Sequence, residues 1–147
     1  MPVRPIPEGY HTVTPHLLAE NVDKVINFLK SAFGAQEKFA MRMPDGNVMH
    51  AEMQIGDSML MLGPAMGEFR PTPCMLFIYT EDADKLYQTA VKAGATPKEQ
   101  MRDQFWGDRA GSVQDPFGNH WWIATHKEDV SMDELLRRAQ TAMQQHA

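Results

Sequence analysis

His50 and Glu52 are the residues of this chain best placed, by type and spacing, for proton chemistry. They stand two apart in Val48-Met49-His50-Ala51-Glu52-Met53-Gln54-Ile55, and alternate residues of a strand share a face. An imidazole beside a carboxylate can serve as an acid–base pair, or it can simply anchor a polar ligand. His16 and His120 add two more imidazoles. Three imidazoles and a carboxylate could also hold a divalent ion, but the sequence has no tight spacing such as His-x-x-x-His. A second set is apolar. Met61, Met75, Phe77 and Trp122 offer thioether and ring surface on which a flat ligand can stack; ordinary core packing uses the same residue types. Arg109 can hold an anion or pair with Asp108 or Asp115. Cys74 is alone, so no disulfide forms within the chain, and with nothing to activate it the thiol reads as inert core.

These groups need elements to carry them. Residues 1–11 form an arm, because Pro2, Pro5 and Pro7 oppose both helix and sheet. A strand over Val13–Ala19 leads to a helix capped by Asn21, with Val22, Val25, Ile26, Leu29, Ala32 and Phe33 on one stripe and a stop at Gly34. Strands follow near 36–43, 47–55 and 58–63. The order repeats: a strand over Cys74–Thr80, a helix over Asp82–Ala93 stopped by Gly94, then strands near 97–104, 109–115 and 119–125. Asp115-Pro116-Phe117-Gly118 makes the later hairpin turn, and Ile55-Gly56-Asp57-Ser58 makes its earlier counterpart. The fold class is α+β, with tandem βαβββ units over 13–63 and 74–125 in a domain spanning 12–130. A C-terminal helix over 131–147 begins at a Ser131/Glu134 capping box, and its stripe of Met132, Leu135, Leu136, Ala139 and Met143 must pack on its own sheet or on a partner.

Alternation sorts the strand faces. Met49, Ala51, Met53 and Ile55 should lie under the helices, leaving Val48, His50, Glu52 and Gln54 on the other side. His120, Trp122 and Ala124 oppose Trp121 and Ile123, and Met75, Phe77 and Tyr79 oppose Leu76 and Ile78. Strands apolar on both faces are covered on both faces or line a dry pocket.

Composition narrows the function. The chain of 147 residues is 43% hydrophobic, and 14 basic against 19 acidic residues give a net charge of −5. That balance disfavours nucleic acid and anionic membrane surfaces as partners. No stretch has membrane-spanning length or the pattern of a secretion signal, so a cytoplasmic location is expected.

The segments "AENVDKVINFLKSAFGA" and "GDRAGSVQDPFGNHWWIAT", set in two βαβββ units, resemble the vicinal-oxygen-chelate superfamily of glyoxalase I, bleomycin-resistance proteins and extradiol dioxygenases. "MHAEMQIGDSMLML", "WGDR" and "DPFGNHWW" resemble its PhnB-like branch in particular. The resemblance implies sheets curled into half-barrels around a concave ligand cavity, often in a homodimer. Metal-dependent members hold a divalent ion with one side chain from the first and the last strand of each unit. The matching positions here are Thr14, Met61, Met75 and Trp122. Thioethers are poor ligands for such ions and an indole is none, so the metal mechanism does not carry over.

The sequence thus points to a small-molecule-binding protein that sequesters an apolar or aromatic ligand without a metal or other cofactor. Thr14, His16, Met61, Met75, Phe77, His120 and Trp122 are its candidate ligand contacts. The alternative is a lyase, isomerase or dioxygenase that uses a non-standard metal site or His50 and Glu52 as catalytic acid and base. A module that binds no small molecule is a third class. No Gly-rich nucleotide loop supports a methyltransferase.

Overall fold

The computed structural model describes residues 2–145, so His146 and Ala147 of the expected tail and Met1 of the arm lie outside the described residues. The chain divides after Pro73 into two compact units.

In the first unit the order is β1 (His16–Ala19), α1 (Val22–Phe33), β2 (Gln36–Arg42), β3 (Val48–Ile55) and β4 (Ser58–Pro64). The sheet runs β1-β4-β3-β2, with β1 parallel to β4 and the other pairs antiparallel. Asn21 caps α1 by accepting the Lys24 amide, and Gly34 ends it in the left-handed region at φ 65, a conformation that costs glycine little. Val25, Ile26, Leu29 and Ala32 on the helix and Ala51, Met53 and Leu62 on the strands are almost fully buried. Each large apolar side chain in this layer contributes about 1.5–3 kcal/mol.

In the second unit the elements are β5 (Met75–Tyr79), α2 (Ala83–Lys92), β6 (Thr96–Asp103), β7 (Asp108–Gln114) and β8 (His120–His126). Its sheet runs β5-β8-β7-β6, the same order as the first. The repeat is numerical as well as topological. His16 pairs with Met61 and Phe77 with Trp122, and the helix caps are Asn21 and Asp82. The offsets 77 − 16, 122 − 61 and 82 − 21 all equal 61. Tandem βαβββ units in an α+β fold are therefore present, followed by α3 (Met132–Gln145).

Four expectations need correction. The first strand begins at His16, three residues late, and Val13 is 83% exposed. Pro15 lacks an N–H, and the pairing with β4 reaches back only to the Met61 amide bonded to the Pro15 carbonyl. In β3, Ala51 and Met53 are buried as expected, but Val48 is buried too while Met49 is only half-buried. A register irregularity in the β2–β3 ladder between Met41 and Arg42 falls at this end of the strand. The apolar stripe of α3 does not form a core contact: no α3 residue is buried, and Met132, Leu136 and Met143 are exposed. Polar bonds tether the helix instead, from Arg138 to Glu128 and to the Phe105 carbonyl. Its capping box is half-formed. The Ser131 hydroxyl accepts the Glu134 amide at 3.3 Å, while the Glu134 carboxylate turns to Arg137 and Arg138.

Candidate functional site

Each sheet has one face under its helix and one face turned away, and the candidate residues other than Thr14 lie on the latter. In the first unit, register sets Met61 of β4 between His16 of β1 and Glu52 of β3. The His16 and His50 rings meet edge-on at 5.9 Å, and Phe39 of β2 lies 6.3 Å from His50. Gly63 leaves room for this cluster, since a Cβ there would stand 3.1 Å from His16 Nε2. Burial and the neighbouring His50 hold His16 below its ordinary pKa. Glu52 already has a partner, because the Tyr10 hydroxyl of the arm donates to its Oε1. Burial and this bond raise the Tyr10 pKa. Gln54 turns its amide to the Gly56 carbonyl in the hairpin. His50 and Glu52 are alternate residues of β3, both half-buried, with Glu52 tied to a phenol rather than free for a ligand. Thr14 precedes β1 and is not Met61's register partner.

The second unit carries a different surface. Met75, Phe77 and Tyr79 are 65%, 44% and 62% exposed. Register places Met75 beside His120, Phe77 beside Trp122 and Tyr79 beside Ala124. Phe77 and Trp122 stack at 6.1 Å with an interplanar angle of 12°, Tyr79 adjoins Phe77 at 5.1 Å, and Trp106 meets Trp122 edge-on at 6.2 Å. Such offset and edge-on contacts are the favoured aromatic geometries. His120 Nε2 lies 2.9 Å from the buried Ser112 hydroxyl. A groove of about 630 Å³ runs from Trp122 past Trp106 and Phe105 to Arg138 and Thr141 of α3, a size that suits a small organic ligand.

Sequence reasoning missed Trp106, Asp108 and Ser112 as neighbours of this surface. Ser112 was readable in principle, as the position opposite Trp122 across the β7–β8 hairpin. Trp106 was not, because it stands in the turn before β7, where alternation gives no guidance. Arg109 pairs neither with Asp108 nor with Asp115. It makes a two-pronged bond to Asp84 of α2 at 2.7 and 3.0 Å and reaches Asp103 at 3.3 Å. These carboxylates raise its already high pKa. The pair joins β7 to α2 and leaves no free guanidinium for an anion.

The donor chemistry does not suit the family's metal. Thr14, Met61, Met75 and Trp122 offer one hydroxyl, two thioethers and an indole, poor donors for a hard or borderline ion. Among the described residues, no group of three or more His, Cys, Asp or Glu side chains is arranged to hold one. Among those residues, too, no helix is long and apolar enough to cross a membrane.

Known proteins share this architecture. The family model for the glyoxalase/bleomycin resistance protein/dioxygenase superfamily matches residues 10–123. An uncharacterized protein of Mycobacterium bovis is 34% identical over 134 residues, covering 84% of this chain and 88% of the relative. An uncharacterized protein of Mycobacterium tuberculosis shows the same identity over 84% of this chain and 79% of its own. Among solved structures, TioX from Micromonospora sp. ML1 matches with a TM-score of 0.70 at 20% identity, over 79% of this chain and 98% of that one. A gene product of Arabidopsis thaliana matches with a TM-score of 0.66 at 27% identity, over 78% and 98%. By fold, register and sequence alike, the chain belongs to the glyoxalase/bleomycin resistance protein/dioxygenase superfamily.

Proposed function

We propose that the protein is a small-molecule-binding member of the superfamily, of its PhnB-like branch, that sequesters an apolar or aromatic ligand without the usual metal site. The observation that carries this reading is the Phe77–Trp122 stack on the second unit, with Phe77 exposed and Trp122 half-buried, flanked by Tyr79 and Trp106. Large exposed ring surface is costly to leave in water, and covering it gains about 25 cal/mol per Å². A flat ligand supplies that cover with no metal to polarise it. His120, positioned by the buried Ser112 hydroxyl, offers a polar anchor beside the rings. The same reading takes the protein as a cytoplasmic homodimer, a state that sedimentation velocity checks.

The test is titration with flat aromatic compounds, beginning with anilinonaphthalene sulfonate, in the presence of chelator. Trp122→Ala should weaken binding by roughly 1–3 kcal/mol. Stability must be measured alongside. If Trp122→Ala destabilises the fold yet leaves the affinity per folded molecule unchanged, the reading loses its main residue.

The competing reading is a lyase, isomerase or dioxygenase, and the half-buried His50 and Glu52 on one face favour it. There, Tyr10 would have to release Glu52 before the carboxylate could accept a substrate proton. Turnover lost in Glu52→Gln or on chelation would put this reading in place of the first.

A further inference from the structure

The rings flanking the Phe77–Trp122 stack hang on one buried carboxylate. Asp108 is 3% exposed. Its Oδ2 accepts from the Tyr79 hydroxyl at 3.0 Å and from Trp106 Nε1 at 2.9 Å, and its Oδ1 faces His126 Nδ1 at 2.7 Å. The three partners come from β5, the β6–β7 turn and β8. A buried carboxylate is tolerable only when such partners satisfy it, so the bonds that stabilise Asp108 also fix the two outer rings.

Of the three partners, only His126 can change charge near neutrality. Its other nitrogen, Nε2, lies 2.8 Å from the carboxylate of Asp129. An imidazole between two carboxylates can donate to both only when protonated; neutral, it donates to one and turns a lone pair to the other. Loss of that proton removes a bond and takes away a positive charge 2.7 Å from Asp108.

We infer that Asp108 is a positioning residue for the aromatic face, and that His126 makes its hold on Trp106 and Tyr79 depend on pH. An aromatic ligand is then held most tightly while His126 is protonated. This last step rests on the binding function proposed above; the positioning of the rings does not.

Asp108 faces His126 from β7, and Asp129 faces it from the segment after β8. Tyr79 approaches from β5 through Asp108. Glu128, next along the chain, is engaged by Arg138 of α3. Arg109 is committed to Asp84 and Asp103. The bonds to Asp129 and Asp108 raise the His126 pKa above its ordinary 6.5. The stabilisation is therefore complete below pH 6.5 and is lost as pH rises through the raised folded value.

The experiment follows the side-chain N–H resonance of the Trp106 indole and the His126 imidazole resonances in the full chain across pH. The affinity for anilinonaphthalene sulfonate, whose charge is constant over this range, is measured beside them. The Trp106 resonance should move with the His126 midpoint, and Kd should rise several-fold over the same step. His126→Gln should flatten both curves. Asp129→Ala removes a side chain that is fully exposed and should lower the midpoint without abolishing the step. A Trp106 resonance that ignores the His126 titration, or a step that persists in His126→Gln, overturns the inference. The two readings also separate. If Trp106 follows His126 but the probe does not bind, the positioning role stands and the binding function fails. If the probe binds through Trp122 with an affinity flat in pH, the binding function stands and the role of His126 fails.

Discussion

The two units share one topology and one register and differ in what they place on it. The position held by His16 in the first unit is Phe77 in the second; Met61 becomes Trp122. Opposite that last pair stand Glu52 in one and Ser112 in the other. The first surface is imidazole, carboxylate and thioether; the second is a stack of rings. The backbone therefore sets where a side chain can be presented, while the side chain sets the chemistry. The hairpin turns diverge in the same way. The first is a two-residue Gly56-Asp57 turn with Gly56 at φ 56, a left-handed first position that favours glycine. The second is organised by Asp115, whose carboxylate accepts from the Phe117 and Asn119 amides, the Asn119 side chain and Trp121 Nε1.

The largest test of this contrast is at the turns. Asp115→Ala removes the shared acceptor of the Asn119 amide, the Asn119 side chain and the Trp121 indole and should cost about 3 kcal/mol or more in urea unfolding. Asp57, whose exposed carboxylate accepts from the Ser58 hydroxyl, should change stability by no more than about 0.5 kcal/mol when replaced by Ala. Equal effects would break the claim that the second turn carries more of the fold. Next come two strand glycines. A Cβ on Gly111 would stand 2.8 Å from the Glu99 carbonyl and 3.0 Å from the Met101 amide, both backbone atoms, so Gly111→Ala should cost about 1–3 kcal/mol. Gly63→Ala meets only side chains, of which His16 Nε2 at 3.1 Å is nearest, and should cost less than about 1 kcal/mol.

A smaller effect is expected between the helices. Ile26 and Tyr87 occupy matching positions, 87 − 26 = 61. Ile26 is buried and apolar, whereas the Tyr87 hydroxyl is buried and has no hydrogen-bond partner among the described residues. Tyr87→Phe should be neutral or stabilise the fold by up to about 1 kcal/mol; a clear loss would reveal a bond to that hydroxyl. The smallest effect is in pH dependence, where the units should have opposite signs. His16 has a lowered pKa, so the first unit loses stability as pH falls from 6.5 towards the folded value, because the unfolded chain binds the proton first. His126 has a raised one, so the second unit loses stability as pH rises. Amide exchange in β3 and β8 reads the two separately, and His16→Asn and His126→Gln should each flatten one slope.

Much of this fold was legible because its signals are local. The Asn21 cap, the stripe of α1, the Gly34 stop and the Asp115-to-Gly118 turn each depend on neighbours in sequence. Strand β1 was misplaced because its start depends on how far β4 can offer partners, which no window around Val13 contains. The stripe of α3 has the period of a packed helix yet leaves Leu135 and Ala139 only half-buried and Met132, Leu136 and Met143 exposed; periodicity reports the capacity to pack, not the extent of the surface to pack on. Alternation put Phe77 and Trp122 on strands that could face one another, and pairing made them neighbours. The Asp108 hub escaped notice because Tyr79, Trp106 and His126 converge from separate elements. Arg109 went to Asp84, 25 residues away, rather than to the acids beside it in sequence.

The most direct test of the central claim maps where a flat aromatic probe binds. Anilinonaphthalene sulfonate is titrated into the isotopically labelled chain, with and without chelator, while resonances of both units are followed. Binding on the ring face of the second unit should shift the Trp122 and Trp106 indole N–H groups and residues along β5, unchanged by chelator, with His16 and His50 undisturbed. Shifts centred on His16, His50 and Glu52, or any binding abolished by chelator, would contradict it.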